Sequence, residues 1–223
     1  MAAGTLIKVK RKAGAFVGTD LAAGELGIDT TNGHLYYSHD GTTVKTPPST
    51  RTGVYRQLWV GASAMVPRTT NGAAVGTAEL ATNDIMLDVL DFDNATEEGA
   101  GFWVNFGDQW DAGTVKIKAY WTTAAGNPGQ TVKWDFAAQS YANDDAIDQA
   151  LGTEQGVTDT MITANDMHIS SASSALTIAD ATAGEPVYFQ VARDVASDSL
   201  AVDARLIGVM IQYLESATEQ SAW

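Results

Sequence analysis

The sequence predicts an all-β protein, with a small N-terminal β-hairpin module followed by a jelly-roll-like antiparallel β-sandwich. Apolar residues recur in short alternating or continuous runs, and long helical periodicity is hard to find. Glycine, asparagine, aspartate and proline interrupt these runs at short intervals, and glycine alone occurs 21 times in 223 residues. Short strands separated by turn residues are typical of sandwiches and barrels.

The sequence divides into four segments. Residues 1–48 are predicted to form a small β anchor module, 49–53 a linker, 54–215 the sandwich head domain and 216–223 a polar tail. Paired prolines precede the linker and favour an extended chain, and its Ser, Thr and Gly content argues against packed structure. The chain has no cysteine, so its core must form without disulfides. A head domain of this length is large enough to do so.

Turn residues indicate where the strands of the first module begin and end. Asn32-Gly33 supplies the positive φ that a tight hairpin demands, so the run from Glu25 to Val44 contains two short strands joined there. Asp40-Gly41 serves the next turn in the same way. Gly24 lets the backbone turn into the strand that begins at Glu25.

Ten candidate strands follow in the larger domain. They are Val54–Val60, Asp84–Phe92, Gly101–Phe106, Thr114–Thr122, Thr131–Tyr141, Thr158–Thr163, His168–Ser171, Ala175–Ala179, Pro186–Arg193 and Ala204–Tyr213. Within the fourth, apolar residues alternate with Lys116, Lys118 and Tyr120, which indicates one buried and one solvated face. Asn143–Leu151 instead has helix formers and is predicted to be a short helix. This number of strands favours a jelly roll over a seven-stranded immunoglobulin-type sandwich.

Charge is distributed unevenly between the two ends of the chain. The formal net charge is −14, but residues 1–56 contain seven basic and four acidic residues, which leaves 57–223 strongly acidic. This acidity argues against a nucleic-acid partner. The basic residues predicted to dock the N-terminal end onto a larger particle are Lys8, Lys10, Arg11 and Lys12. The alternative is that they form only a solvated strand face.

No pattern of catalytic residues is found, so an enzyme is not expected. None of His34, His39 and His168 belongs to a nucleophile elbow or a zinc-protease motif. Carboxylates that could serve glycoside hydrolysis are numerous, but they fall in predicted loops of an acidic domain. No cofactor is predicted. Calcium is the one alternative, with Asp91, Asp93 and Asn143–Asp145 as oxygen ligands, although the EF-hand pattern fails.

One tryptophan is predicted to bind sugar. Trp110 lies in a predicted turn between Asp108 and Asp111, so it is the best candidate for an exposed platform that contacts a glycan. Three others are predicted to lie in strands and to belong to the core or to a subunit interface, namely Trp103, Trp121 and Trp134. The last residue, Trp223, ends the polar tail.

No apolar run approaches the roughly 18 residues of a membrane span, and no secretory signal is recognised at the N-terminus.

The first module resembles the N-terminal module of bacteriophage fibre and tropism-determinant proteins. The matching residues are Ile7–Arg11, Leu21–Gly27, Asp29, Thr30, Asn32-Gly33, Leu35-Tyr36 and Asp40–Thr42. Ser38-His39 and the short loop after Arg11 depart from the family pattern. The resemblance implies a virion protein, assembled in the host cytoplasm, whose N-terminus attaches to the particle and which is commonly a homotrimer.

The resulting hypothesis is a fibre-type virion protein that displays its β-sandwich to a host-surface component, with a glycan favoured. Its partners would be two further copies, capsid or tail proteins, and the glycan. The apolar run Leu206–Ile211 is consistent with a subunit interface, or with a central sandwich strand. The alternatives are a capsid decoration (cement) protein or head fibre with a structural role and, third, a glycan-active enzyme.

Overall fold

The computed structural model describes residues 9–45 and 53–216, and the chain divides into two compact units, Met1–Thr52 and Gly53–Trp223. Strands dominate both units, and the only helical segments within the described residues are single 3₁₀ turns at Gly18–Asp20 and Ala62–Ala64. The all-β, jelly-roll-like prediction is therefore confirmed. In the described part of the chain, no helix has the length and hydropathy to cross a bilayer.

The N-terminal unit is a four-stranded sheet of very short strands. The strands, in the order in which they pair, are β1 (Lys10–Lys12), β2 (Leu26–Asp29), β3 (Leu35–Ser38) and β4 (Val44–Lys45). The first pair is parallel and the other two are antiparallel. A core of Phe16, Leu21 and Tyr36 lies beneath the sheet, with Val44 packed against it.

Buried and capping carboxylates hold the turns of this unit. Asp29 has no exposed surface and accepts hydrogen bonds from the N–H groups of Gly14 and Thr31, both at 2.8 Å. The predicted positive φ at Gly33 and Gly41 is confirmed, at 72° and 73°. Because this core is small, the fold of the unit depends largely on such local hydrogen bonds.

The larger unit is a sandwich of two antiparallel sheets. Its strands are β5 (Val54–Gly61), β6 (Val66–Pro67), β7 (Ala74–Leu80), β8 (Ile85–Phe92), β9 (Gly99–Asn105), β10 (Lys116–Thr122), β11 (Thr131–Ser140), β12 (Gln155–Thr160), β13 (His168–Ile169), β14 (Pro186–Arg193) and β15 (Ala204–Glu215). One sheet has the order β13-β10-β15-β8-β7, with β5 also paired to β15, and the other has the order β12-β11-β14-β9-β6.

The core lies between the inner faces of these two sheets. In β10, Ile117, Ala119 and Trp121 have no exposed surface while Lys116 and Lys118 are exposed, which confirms the predicted alternation. The facing sheet contributes rings that pack edge-on or stacked, such as Phe102 on Phe189. The strands that line the core, such as β10 and β14, therefore have one buried row and one row on the outer face of the sheet.

Arg193, at the end of β14, is the largest charged side chain buried in the core. Its guanidinium donates to Asp198 at 2.7 Å and to the carbonyl oxygens of Phe92, Leu200 and Val202. Both members of the ion pair are almost completely buried. A buried guanidinium needs such partners, so this network fixes the path of the loop between β14 and β15.

Two predicted elements do not form, and two strands, β6 and β7, are not among the predicted ones. Asn143–Leu151 is not helical, because Asp144 has a φ of 69° and Asp145 caps the N–H of Ala142 in a turn. Ala175–Ala179 forms only isolated bridges rather than a strand. The strand Ala74–Leu80 was missed, since its alanine, glycine and threonine content does not give an apolar alternation.

Candidate functional site

The outer face of the β12-β11-β14-β9-β6 sheet presents a half-exposed tryptophan. Trp103 on β9 stands directly opposite Tyr188 on β14, and their ring centroids are 5.2 Å apart. The neighbours of each residue along its strand point into the core, so these two rings point outward. Trp103 is 51% exposed, an unusual degree for so large an apolar ring on a regular strand.

Neighbouring aromatic rings fix the orientation of Trp103. Tyr141 lies 5.2 Å away on the same side of the sheet, and its hydroxyl donates a hydrogen bond to the Ile147 carbonyl oxygen at 3.0 Å. Burial raises the pKa of Tyr141, which keeps that hydroxyl protonated and donating at neutral pH. The indole is therefore held by its neighbours while its open side faces solvent.

A glycine makes room for the second ring. Tyr188 lies across Gly101, the residue two positions before Trp103, and a Cβ at Gly101 would overlap the Tyr188 hydroxyl. The absence of a side chain thus lets the tyrosine lie along the sheet surface. The Tyr188 hydroxyl has no hydrogen-bond partner among the residues that the structure describes, so it is available to a ligand.

These rings and the segment around β6 enclose an open groove of about 520 Å³. Its lining is Ala64, Val66, Pro67, Arg68, Thr69, Gly101, Phe102, Trp103 and Tyr188. Val66 is 71% exposed and supplies an apolar wall, while the Arg68 guanidinium packs over Gly99. A concave, largely apolar surface with a few polar groups is the usual form of a small-molecule site.

Arg68 is the cationic group of this groove. Its nearest carboxylate is Glu97, at 4.0 Å, too far for a hydrogen bond. The buried Nε of Arg68 has no hydrogen-bond partner among the described residues. The groove therefore combines ring faces with hydrogen-bond donors that the protein leaves unused.

The predicted sugar platform at Trp110 is wrong. Trp110 is only 2% exposed, because the turn folds back over the end of the sandwich and places the indole on Phe106, 5.0 Å away. Asp108 lies beside Gly184, and the carboxylate of Asp111 accepts the N–H of Gly113 within its own turn. No aromatic surface remains between these two carboxylates.

The other predicted tryptophan positions have different outcomes. Trp121 and Trp134 have no exposed surface, which confirms their prediction as core residues. Trp103, for which the sequence also predicts a place in the core or at a subunit interface, lies on the outer face of its sheet. The sequence indicates this outward position, because Trp103 lies between the apolar residues Phe102 and Val104 and alternate residues of a strand face opposite sides. Trp223 lies outside the described residues.

The predicted docking residues are partly paired inside their own unit. Lys10 forms an ion pair with Glu25 at 2.6 Å, and Lys12 forms one with Asp20 at 2.7 Å. Arg11, between them, has no carboxylate within 4.0 Å in the described part of the chain. Lys8 lies outside the described residues. A docking role for this strand stays a prediction.

The carboxylates and histidines considered for chemistry have structural roles. Asp91 pairs with Arg205 at 3.1 Å, and Asp93 accepts backbone N–H groups in its own loop. His168 is 4% exposed, and its ring packs at a tilt against Trp121, with the centroids 4.6 Å apart. Within residues 9–45 and 53–216, no three His, Cys, Asp or Glu side chains are grouped so that they could hold a metal ion.

Comparison with known proteins gives distant structural likenesses alone. No family model and no curated protein sequence matches this chain. It is similar to the CBM22-1–GH10 modules of Clostridium thermocellum xylanase 10B, solved with xylohexaose, at 15% identity and a TM-score of 0.42. That match spans 76% of this chain and 30% of the other.

Two smaller solved modules are also similar. CBM35 from Cellvibrio japonicus Abf62 has 6% identity and a TM-score of 0.40, with 74% of this chain and 95% of that one covered. Caldicellulosiruptor saccharolyticus CBM27-1, solved with mannohexaose, has 12% identity and a TM-score of 0.34, with 74% and 99% covered. What the groove binds is therefore inferred from this chain's own residues.

Proposed function

We propose that the larger unit binds a host-surface glycan in the Trp103–Tyr188 groove, and that the chain is a bacteriophage virion protein of the fibre type. The observation that carries the glycan proposal is the half-exposed indole of Trp103, held between tyrosines on a sheet. An exposed aromatic patch, here formed by Trp103 with Tyr188, is a common mark of a binding surface.

The chemistry of the groove suits a sugar ring. The C–H face of a pyranose packs on an indole, while its hydroxyls need hydrogen-bond partners that replace water. The Tyr188 hydroxyl and the Arg68 guanidinium supply such partners at the groove. Because Trp103 and Tyr188 stand on paired strands, the platform is preorganised and loses little side-chain entropy when a sugar binds.

Replacing Trp103 tests this role. An array of bacterial surface glycans would identify a binder, and a monovalent fragment of it would be titrated by calorimetry. We expect Trp103→Ala to weaken binding at least tenfold, which corresponds to about 1.4 kcal/mol. Trp59→Ala is the matched control, since Trp59 is a 44% exposed tryptophan on the opposite sheet. Equal affinities for the wild type and Trp103→Ala would refute the groove as the site.

The virion setting rests on the resemblance of the N-terminal module and on its basic character. Lys10 and Lys12 are engaged by Glu25 and Asp20, so Arg11 is the residue of β1 that is free to meet an acidic partner on the particle. Reversing the charge at Lys10 or Lys12 would also break contacts within the unit. Arg11→Glu is therefore the cleaner test of docking.

We expect Arg11→Glu to reduce incorporation of the protein into assembled particles, measured by immunoblot of purified virions. Lys45→Glu makes the same charge change on β4 of the same unit and should incorporate normally. Wild-type incorporation of Arg11→Glu would contradict docking through β1. Normal adsorption but heat-sensitive capsids in particles that lack the protein would favour the decoration role instead.

A further inference from the structure

The outer face of the other sheet holds the two unpaired cations of the larger unit. Of the seven basic residues in 53–216, Arg56, Lys133, Arg193 and Arg205 form close ion pairs, and Arg68 lies 4.0 Å from Glu97. Lys116 and Lys118, both exposed, have no carboxylate within 4.0 Å among the described residues. In an acidic chain, two adjacent unpaired lysines mark a surface suited to an acidic partner.

Amide side chains lie beside the first of these lysines, and apolar side chains lie beside the second. In register, Lys116 lies beside Gln212 and Gln57, and Lys118 lies beside Met210 and Trp59. We name these six residues the lysine face. Trp59 is 44% exposed, lies across Gly208 and meets Tyr120 edge-on at 4.9 Å. An aromatic and methionine surface flanked by cations is typical of a protein interface.

A second feature of the same unit has the complementary properties. We name residues 74–89, which form β7 and most of β8, the arm. Strand β8 pairs with β15 only at 204–206, and from Gly208 onward β15 pairs with β5 instead. Residues 85–89 of β8 therefore have β7 as their one strand neighbour in the described chain. A two-stranded ribbon is marginally stable unless something covers it.

The arm exposes apolar side chains and carboxylates together. Val75, Ile85 and Met86 are 75%, 50% and 59% exposed. The arm contains three exposed carboxylates, Glu79 and Asp88 on its strands and Asp84 in the turn between them, and no lysine or arginine. None of the three has a basic side chain within 4.0 Å among the described residues. The arm thus has unpaired negative charges beside an uncovered apolar surface.

The spacing of the charges also matches. Lys116 and Lys118 are two residues apart on one strand, which separates them by about 6.8 Å. Glu79 pairs with Met86, and Asp88 lies two residues further along β8, so the carboxylates are diagonal neighbours on one face of the ribbon. Such neighbours are roughly 7–8 Å apart. Met86 lies on the same face as both carboxylates, positioned to pack on Met210 and Trp59.

We infer that the arm of one copy docks on the lysine face of a second copy. Glu79 and Asp88 meet Lys116 and Lys118, and Met86, on the same face of the arm, is buried against Met210 and Trp59. The two surfaces differ, so the contact is heterologous, and a suitable rotation closes it into a ring of identical subunits. The glycan groove lies on the other sheet, so each subunit keeps it accessible.

Charge reversal and re-pairing test this interface. Sedimentation equilibrium would measure association of the wild type, of Lys116→Glu/Lys118→Glu, of Glu79→Lys/Asp88→Lys, and of an equimolar mixture of the two variants. We expect association of the wild type, a loss of at least tenfold in each variant alone, and recovery in the mixture. Circular dichroism would establish that each variant is folded.

Glu154→Lys/Asp166→Lys is the matched control, because it makes the same charge change at exposed positions outside the arm and should associate as the wild type does. A monomeric wild type at about 100 µM would overturn the inference. Undiminished association of either variant, or a mixture that stays dissociated, would overturn it too. If Lys116→Glu/Lys118→Glu dissociates while Glu79→Lys/Asp88→Lys still associates, the segment that occupies the lysine face is an acidic segment other than the arm.

Discussion

At the scale of single residues, the groove depends on what is absent at Gly101. The Tyr188 ring lies where a Cβ of residue 101 would stand, so the shape of the groove is set by a glycine rather than by a catalytic or charged group. The backbone of Gly101 is ordinary strand, so this position requires space and not a special backbone conformation. The side chain that must yield to a Cβ is the outward-facing tyrosine, not the backbone.

We therefore predict that Gly101→Ala lowers glycan affinity at least tenfold, because the displaced Tyr188 no longer forms the floor of the groove. The free energy of unfolding should fall by only about 1 kcal/mol, at the lower end of overpacking costs, since Tyr188 is partly exposed. Calorimetric titration and urea unfolding would measure the two effects.

Gly61→Ala is the matched control for this substitution. A Cβ at Gly61 would meet nothing closer than the Trp59 Nε1, at 3.6 Å. Unchanged affinity in Gly101→Ala would show that the position of Tyr188 does not matter for binding.

The sequence predicts the environment of a tryptophan well only when its strand partners are considered. Trp121 alternates with lysines, so its burial could be predicted. Trp103 alternates with Phe102 and Val104, and that pattern implies an outward position, although the residue type alone suggested the core. Trp110 lies in a turn whose fold over the end of the sandwich is a tertiary contact. No local pattern contains that information.

At the scale of elements, the strands of the sandwich could be predicted from alternation, and the turns of the N-terminal unit from Asn-Gly and Asp-Gly. The second strand of the arm, β8, is predicted as Asp84–Phe92, but the first, β7, is not, because none of its residues is buried and no alternating pattern results. The helix predicted at Asn143–Leu151 failed because local side-chain capping competes with helix formation at aspartate.

Carboxylate contacts make the N-terminal unit sensitive to acid. The Lys12 ammonium and the Val17 N–H lower the pKa of Asp20, and the Lys10 ammonium and the Ala22 N–H lower that of Glu25. Hydrogen bonds from the Thr43 and Thr42 N–H groups lower the pKa of Asp40. Each group therefore binds its proton more weakly in the folded unit than in the unfolded chain.

These carboxylates contribute stability in full above their ordinary pKa values of 3.8 for Asp and 4.5 for Glu. The contribution is lost as the pH falls through the lower pKa values of the folded unit. We predict that amide NMR signals of residues 9–45 lose dispersion below about pH 4. Full dispersion at about pH 2 would show that these contacts do not hold the unit.

At the scale of the whole molecule, the two sheets of the sandwich present different outer surfaces. One carries the aromatic groove with Arg68, and the other carries the lysine face. Copies joined through the second surface would display several grooves, and several weak sugar contacts made together give an avidity that one site cannot.

A structure of the protein with a bound oligosaccharide tests the central claim most directly. The account predicts a sugar ring stacked on the indole of Trp103, with hydroxyls hydrogen-bonded to Tyr188 and Arg68. A sugar bound on the lysine face, in the Asp108–Asp111 turn or on the N-terminal unit, with the Trp103 groove empty, would contradict it.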